Sequence, residues 1–301
     1  YIGFIFSSIF AILYSLIGLF RGKWWYGYII PETINLNYVK SLQKNHLAYE
    51  YFFSNSNHFY KPLWAYELEN INSLITQLYY STNNEDYILD KYKFKGFPGY
   101  KIMQWKRFVV WDKEQEDFLK NFCPNSTYIK VGYVDIVGSS KNFLIPNSHK
   151  ILSVFDITPL RLTACSKLGM AIPHYLTEDL NIKFFQDIKE ICTDYKWEIF
   201  WKPKRATGNS FRSKSLIKKQ SELIDENLTK IFHGIAASSI VEKSDAVISM
   251  PFSSPSVIAK FKNIPSIFYD PFGSLKNSFS REIPLLKGKQ ELRVWFESLN
   301  R

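Results

Sequence analysis

The chain has 301 residues, 46% of them hydrophobic and 22% charged, which suits two domains of about 150 residues each and excludes a disordered chain. Its three cysteines, Cys123, Cys165 and Cys192, form no CxxC pair, which argues against a disulfide framework or structural zinc and fits a reducing compartment. A net charge of +10 asks for an anionic partner: a membrane surface, a nucleic acid or a phosphorylated small molecule.

Residues 1–20, "YIGFIFSSIFAILYSLIGLF", carry no charge. About 20 apolar residues are enough to cross a bilayer as a helix. "RGKWWYGY" follows, two cations and then a cluster of aromatic rings, in the manner of an interfacial anchor. Residues 1–30 therefore read as a membrane-associated segment, peripheral or single-span, and an anionic membrane surface as a partner; the alternative is a buried or monotopic helix, since Ser7, Ser8 and Ser15 dilute the apolarity. No positive region precedes the apolar run and no small-residue cleavage site follows it, so a signal peptide fits poorly. The first residue is Tyr rather than Met, so the chain can be a piece of a longer protein.

Residues 31–148 form the expected N-terminal domain, mixed and mainly helical up to residue 105. Leu63, Leu68, Ile71, Leu74 and Leu78 recur at three- and four-residue steps and predict one amphipathic helix across "LWAYELENINSLITQLYY". Gly96, Pro98 and Gly99 end any helix there. "RFVVWD", "KEQEDFLKNF" and "TYIKVGYVDIVG" then read as strand, helix and strand, a parallel βαβ unit. The polar stretch 139–150 is the best linker.

From residue 149 to 301 the alternation becomes regular. "ILSVFD", "WEIFWKP", "DAVISM" and "PSIFYD" predict strands. "TEDLNIKFFQDIKEICTDY", with Thr177 as N-cap, "GIAASSIVEKS", "SSPSVIAKFKN" and "GKQELRVWFESL" predict helices. Four strands alternating with helices over about 150 residues indicate a doubly wound, Rossmann-like parallel sheet.

Ligands of such sheets bind beyond the carboxyl ends of the strands. The four predicted strands are followed by Asp156-Ile157-Thr158-Pro159-Leu160-Arg161, by Pro203-Lys204-Arg205 after Lys202, by Pro251-Phe252-Ser253-Ser254-Pro255-Ser256, and by Pro271-Phe272-Gly273 after Asp270. Each alone has a plain structural use, and Ser253 or Ser254 would cap the helix that starts near Pro255. A capped helix start still offers N–H groups to an anion, and four such loops on one edge predict an anion-binding cleft. No GxGxxG follows a strand, and GxxxxGK[ST], GxSxG and HExxH are absent, so dinucleotide, P-loop, nucleophile-elbow and zincin chemistry lack support. The five histidines show no metal-ligand spacing, and the basic and aromatic residues match no RNA-binding signature, so neither a metal nor a nucleic-acid partner is expected.

"VFDITPLR", "WKPKR", "EKSDAVISMPFSSPSVIAKFKNIPSIFYDP" and "LLKGKQELRVWFE" together resemble bacterial surface-polysaccharide biosynthesis proteins of the GT-B glycosyltransferase type. The resemblance spans roughly residues 105–298 and implies an α/β chain of two Rossmann-like domains, the C-terminal one holding a nucleotide sugar and the N-terminal one serving the acceptor. The Ser-Ser-Pro helix start and the Lys-Pro-Lys loop are similar to those of transferases that use CMP-linked acidic sugars such as Kdo or sialic acids, favoured here over UDP-sugars. The first 105 residues depart from the pattern and suggest a helix-rich or incomplete N-terminal domain. Asp156 is expected as a catalytic carboxylate, base or nucleophile, unless it holds ribose or orients Arg161. Thr158, Arg161, Lys202, Lys204, Arg205, Ser253, Ser254, Ser256 and Asp270 are expected at the donor, with no cofactor or metal. The acceptor is expected to be a growing cell-envelope polysaccharide or a lipid-linked glycan. The rival reading is a non-catalytic, membrane-associated scaffold of the same machinery.

Overall fold

A computed structural model describes residues 2–55, 60–82, 85, 87–89, 98–135, 150–157, 159, 175–204, 213–231, 234–277 and 279–300. All but Lys150 of the expected linker lies outside them. The chain forms two compact units, residues 1–80 with 97–132 and residues 81–96 with 133–301.

The first unit opens with helices α1 (Ile2–Phe20) and α2 (Tyr26–Ser41) and continues as β1 (Glu50–Asn55), α3 (Leu63–Asn70), β2 (Leu74–Tyr79), β3 (Arg107–Val110), α4 (Lys113–Lys120) and β4 (Thr127–Lys130). The four strands make one parallel sheet in the order β1-β2-β3-β4. The sequence reading missed β1 and merged α3 with β2. The helix stops because Asn72 turns into the left-handed region at φ 69°, while the Ser73 and Asn72 N–H groups donate to the carbonyls of Leu68 and Glu69. That is a Schellman closure, and Asn is the residue after Gly that best tolerates it. Beyond it Ile75 and Tyr79 alternate onto the core face, where they join Phe108, Val110, Trp105 and Leu119. The N-terminal unit is thus a parallel α/β layer and less helical than expected.

The second unit contains β5 (Ile151–Phe155), α5 (Glu178–Tyr195), β6 (Glu198–Lys202), α6 (Lys214–Glu222), β7 (Leu228–Lys230), α7 (Ala237–Val241), β8 (Ala246–Ser249), α8 (Ser254–Phe261), β9 (Ser266–Asp270), β10 (Phe279–Ser280), β11 (Ile283–Lys287) and α9 (Gly288–Leu299). Its seven-stranded sheet has the order β10-β11-β9-β8-β5-β6-β7, parallel except for β10. The central strands β5 and β8 are buried at every residue, as expected of strands covered on both faces. Thr177 caps α5, its hydroxyl accepting the Leu180 N–H at 3.2 Å. Both units are α/β with parallel sheets, the class expected from the sequence.

In the first unit Glu116 of α4 holds α4 to β4 by accepting from Lys120 at 2.5 Å and Lys130 at 2.7 Å. Those two hydrogen bonds, Lys120 first, lower its carboxyl from 4.5 to about 2. A depressed carboxylate stabilises the fold above its unfolded pKa and loses that contribution as pH falls through the folded one. Glu116→Gln should therefore lower the thermal midpoint at neutral pH, with the difference from the native chain shrinking between pH 4.5 and about 2. Melting curves across that window check this, and a pH-independent difference would contradict it.

Candidate functional site

The larger sheet reverses direction at β5. The chain runs outward through β6 and β7, then crosses back to β8, β9 and β11 on the other side. The crevice beyond the carboxyl ends at such a reversal is where open α/β sheets place ligands. Here it is bounded by Asp156 after β5 and by residues 250–253 after β8. Phe155 pairs with Ser249, the Met250 N–H donates to the Phe155 carbonyl at 3.0 Å, and the Ile157 N–H lies 3.1 Å from Met250 Sδ. The Lys204 N–H donates to Asp156 Oδ1 at 2.9 Å, which fastens the loop after β6 to the end of β5. Three of the four predicted loops are thereby joined by direct bonds.

The passage from β8 to α8 takes four residues and is strained. Phe252 sits at φ 62°, in the left-handed region where a bulky side chain is an outlier. Such a conformation costs on the order of 1–3 kcal/mol and persists only where surroundings enforce it. The Phe252 ring packs on Tyr87 at 5.4 Å and on Phe268 at 5.5 Å between centroids, and the Tyr87 hydroxyl donates to the Pro251 carbonyl at 3.1 Å. Burial, followed by the charge of Glu85, pushes the Tyr87 phenol up, so it stays a donor.

The four serines of this stretch are all buried, and each hydroxyl is engaged within the fold. Ser253 holds the N-cap position of α8, yet its side chain does not cap: its hydroxyl donates to the Met250 carbonyl at 2.9 Å and so closes the turn. The expected Ser cap is corrected on that ground, because the left-handed Phe252 brings the Met250 carbonyl within reach first. Ser254 Oγ accepts the Thr82 N–H at 3.0 Å. Ser256 is fully buried, bonded to Ser249 at 2.6 Å and donating to the Ile267 carbonyl at 2.8 Å. Asp270, also fully buried, accepts the Phe272 and Leu275 N–H groups at 3.2 and 2.8 Å. Ser256 and Asp270 thus pin the edge from within.

Lys202 ends β6 half-buried. Burial lowers its pKa, and the Asp156 charge opposes that shift. A lysine under that tension gains from a second anion. Thr158, Arg161 and Arg205 lie outside the described residues. Sequence reasoning missed Thr82, Tyr87 and Tyr175. They come from segments outside the predicted strand ends, and only the fold brings Tyr87 and Tyr175 together, with centroids 5.4 Å apart. Tyr175 is 3% exposed, and burial and the neighbouring Asp270 carboxylate raise its phenol well above the ordinary range. Along this edge, in strand order, come the start of α8 after β8, which has no side-chain cap, Asp156 after β5, and Lys202 and Lys204 at the end of β6, groups suited to a phosphate. Among the described residues no cluster of three or more His, Cys, Asp or Glu could hold a metal ion.

The fold is similar to that of a protein described as a UDP-N-acetylglucosamine 2-epimerase from Listeria monocytogenes, with TM-score 0.51 and 10% identity over 90% of this chain and 70% of that one. Weaker likenesses are to MnaA from S. aureus, solved with UDP, at TM-score 0.48 and 9% identity over 89% and 70%, and to TarM at 0.46 and 10% over 89% and 51%. The first shares the α/β class expected from the sequence. No curated protein sequence matches. A family model described as "Polysaccharide biosynthesis PFTS motif protein" matches residues 6–296. With the family model spanning almost its whole length, the chain belongs to the polysaccharide biosynthesis PFTS motif proteins.

Proposed function

We propose that the chain is a glycosyltransferase that moves a sugar from a nucleotide-activated donor to a cell-envelope glycan or lipid-linked acceptor, at the cytoplasmic face of a bacterial inner membrane. One observation carries the reading: the Pro251–Ser254 stretch lies at the switch point of the larger sheet, held in a strained turn that opens α8. The first-turn N–H groups of α8 carry the positive end of the helix dipole, about half a charge. A donor phosphate seated there is stabilised most as the nucleotide departs and its negative charge grows, which is the difference that accelerates transfer. Lys202 and Lys204 supply the flanking cations. Two lysines and a helix start balance a diphosphate, so a UDP-sugar is the donor proposed. A CMP-linked acidic sugar would place its phosphate and carboxylate on the same groups.

Asp156 acts on this site by position. It is 3% exposed and its Oδ1 holds the Lys204 N–H, so it sets the loop that carries Lys204.

Calorimetric titration with UDP, CMP and GDP tests the donor class. UDP should bind, and Lys202→Gln should weaken it about tenfold, the effect of one charge-assisted hydrogen bond. Tighter CMP binding would transfer the proposal to CMP-linked donors, and no binding of any nucleotide at millimolar concentration would leave the scaffold reading.

The role of Asp156 separates in kinetics. Asp156→Asn keeps an acceptor oxygen for Lys204 and should leave turnover near the native value, while Asp156→Ala should raise the donor KM about tenfold. A loss of turnover of about 100-fold or more in both variants at unchanged KM would instead make the carboxylate the base or nucleophile.

A further inference from the structure

α1 is built inside out for a helix in water. The residues it turns toward α2 are Phe4, Ser8, Ala11, Ser15 and Gly18, of which Ser8, Ser15 and Gly18 are buried. The Tyr26 ring lies so close to Gly18 that a Cβ there would meet it at 2.5 Å. The opposite side exposes Ile5, Phe6, Ile9, Phe10, Leu13, Ile17 and their neighbours, with Phe10 69% and Phe20 91% accessible. Large aliphatic and aromatic groups over a helix roughly 28 Å long far exceed the apolar patches that soluble monomers leave in water.

The rim identifies what covers this face. Arg21 and Lys23 follow α1 directly, and Trp24, Trp25 and Tyr28 stand exposed beyond them. Cations beside amphipathic rings at the margin of an apolar face match the headgroup layer of an anionic bilayer.

How α1 meets that bilayer is set by α2. The two helices run antiparallel along their length, Phe4 against Tyr38 at one end and Gly18 against Tyr26 at the other. This pairing puts Glu32 of α2 level with the middle of α1. Glu32 accepts from the Tyr60 hydroxyl at 3.1 Å and the Leu63 N–H at 2.8 Å, and Lys40 pairs with Glu67 at 3.7 Å. α2 is therefore fixed by charges to the body of the first unit. If α1 crossed the membrane in this pairing, Glu32 and its bonds would sit at the bilayer centre, where a carboxylate is strongly disfavoured.

We propose that α1 lies in the plane of a lipid bilayer, its Ile/Phe/Leu face in the acyl region and its Ser/Gly stripe on α2, so that the chain is monotopic rather than spanning. Positions 3 and 23, at the two ends of α1, then face the same side. The proposal does not depend on the enzymatic reading.

The test is sidedness. Gly3→Cys and Lys23→Cys, expressed in a bacterial host, are exposed to a membrane-impermeant maleimide in right-side-out and inside-out membrane vesicles, with the labelled positions located by peptide mass. Both should label in the same vesicle preparation. Labelling from opposite faces overturns the proposal in favour of a span. In a second arm, the purified chain is floated with vesicles of phosphatidylcholine mixed with phosphatidylglycerol. It should rise with them, and the pair Ile9→Glu with Leu13→Glu, on the face away from α2, should abolish this. A native chain that stays in the aqueous fraction, as a monomer or as a dimer joined through α1, overturns the proposal.

Discussion

Phe252 is held at φ 62°, and the carboxyl edge of the larger sheet is organised around that one backbone conformation. Had Phe252 taken an extended conformation, β8 would have run on and α8 could not begin at residue 254. The left-handed residue turns the chain, so that the Ser253 N–H and hydroxyl both reach the Met250 carbonyl. A glycine would adopt this conformation without cost, so the choice of phenylalanine needs a compensating contact. Its ring supplies one, lodged between Phe268 of β9 and Tyr87. The strain is thus balanced by burial of a full aromatic side chain, a contribution of about 1.5–3 kcal/mol, comparable to the strain itself.

That balance changes what the serines do. Hydroxyls beside a helix start look like ligand donors, yet those of Ser249, Ser253, Ser254 and Ser256 all have partners within the fold. They fasten the turn to β8, to β9 and to Thr82. With the hydroxyls engaged, the phosphate contact proposed for this edge falls to backbone N–H groups at the start of α8, Ser254 and Ser256, since Pro255 has none. At Ser253 it is the hydroxyl that makes the contact to the Met250 carbonyl.

The strands of the second unit were legible because central parallel strands are short unbroken apolar runs, and "ILSVF", "AVIS" and "SIFYD" are such runs. β7 and β11 were not: one has three residues, and the other carries Pro284, which argues against a strand until one sees that β11 lies between β9 and a two-residue partner near the sheet's edge. In the first unit, apolar spacing continued across a left-handed Asn72 and disguised a helix and a strand as one element. Among site residues, proximity was legible and orientation was not. Asp156 and Lys204 follow neighbouring strands, and the sheet rule brings them together. Whether Asp270 faces a ligand or its own loop depends on the N–H groups of Phe272 and Leu275, which strand order does not reveal. The contribution of Thr82 and Tyr87 is longer-range still: their segment groups with the second unit although it lies between strands of the first.

The N-terminal helix shows the same limit from another direction. It is long and apolar enough to cross a membrane by length and composition, which sum over residues and ignore where each one points. The face toward α2 is the more polar one, and what it rests on carries a carboxylate bonded into the body of the first unit. A helix that must stay beside Glu32 cannot take the depth its own composition would allow. The constraint on α1 therefore comes from a charged residue that α1 does not contain. In the same way, the conformation of Phe252 is enforced by rings from β9 and from the 81–89 segment.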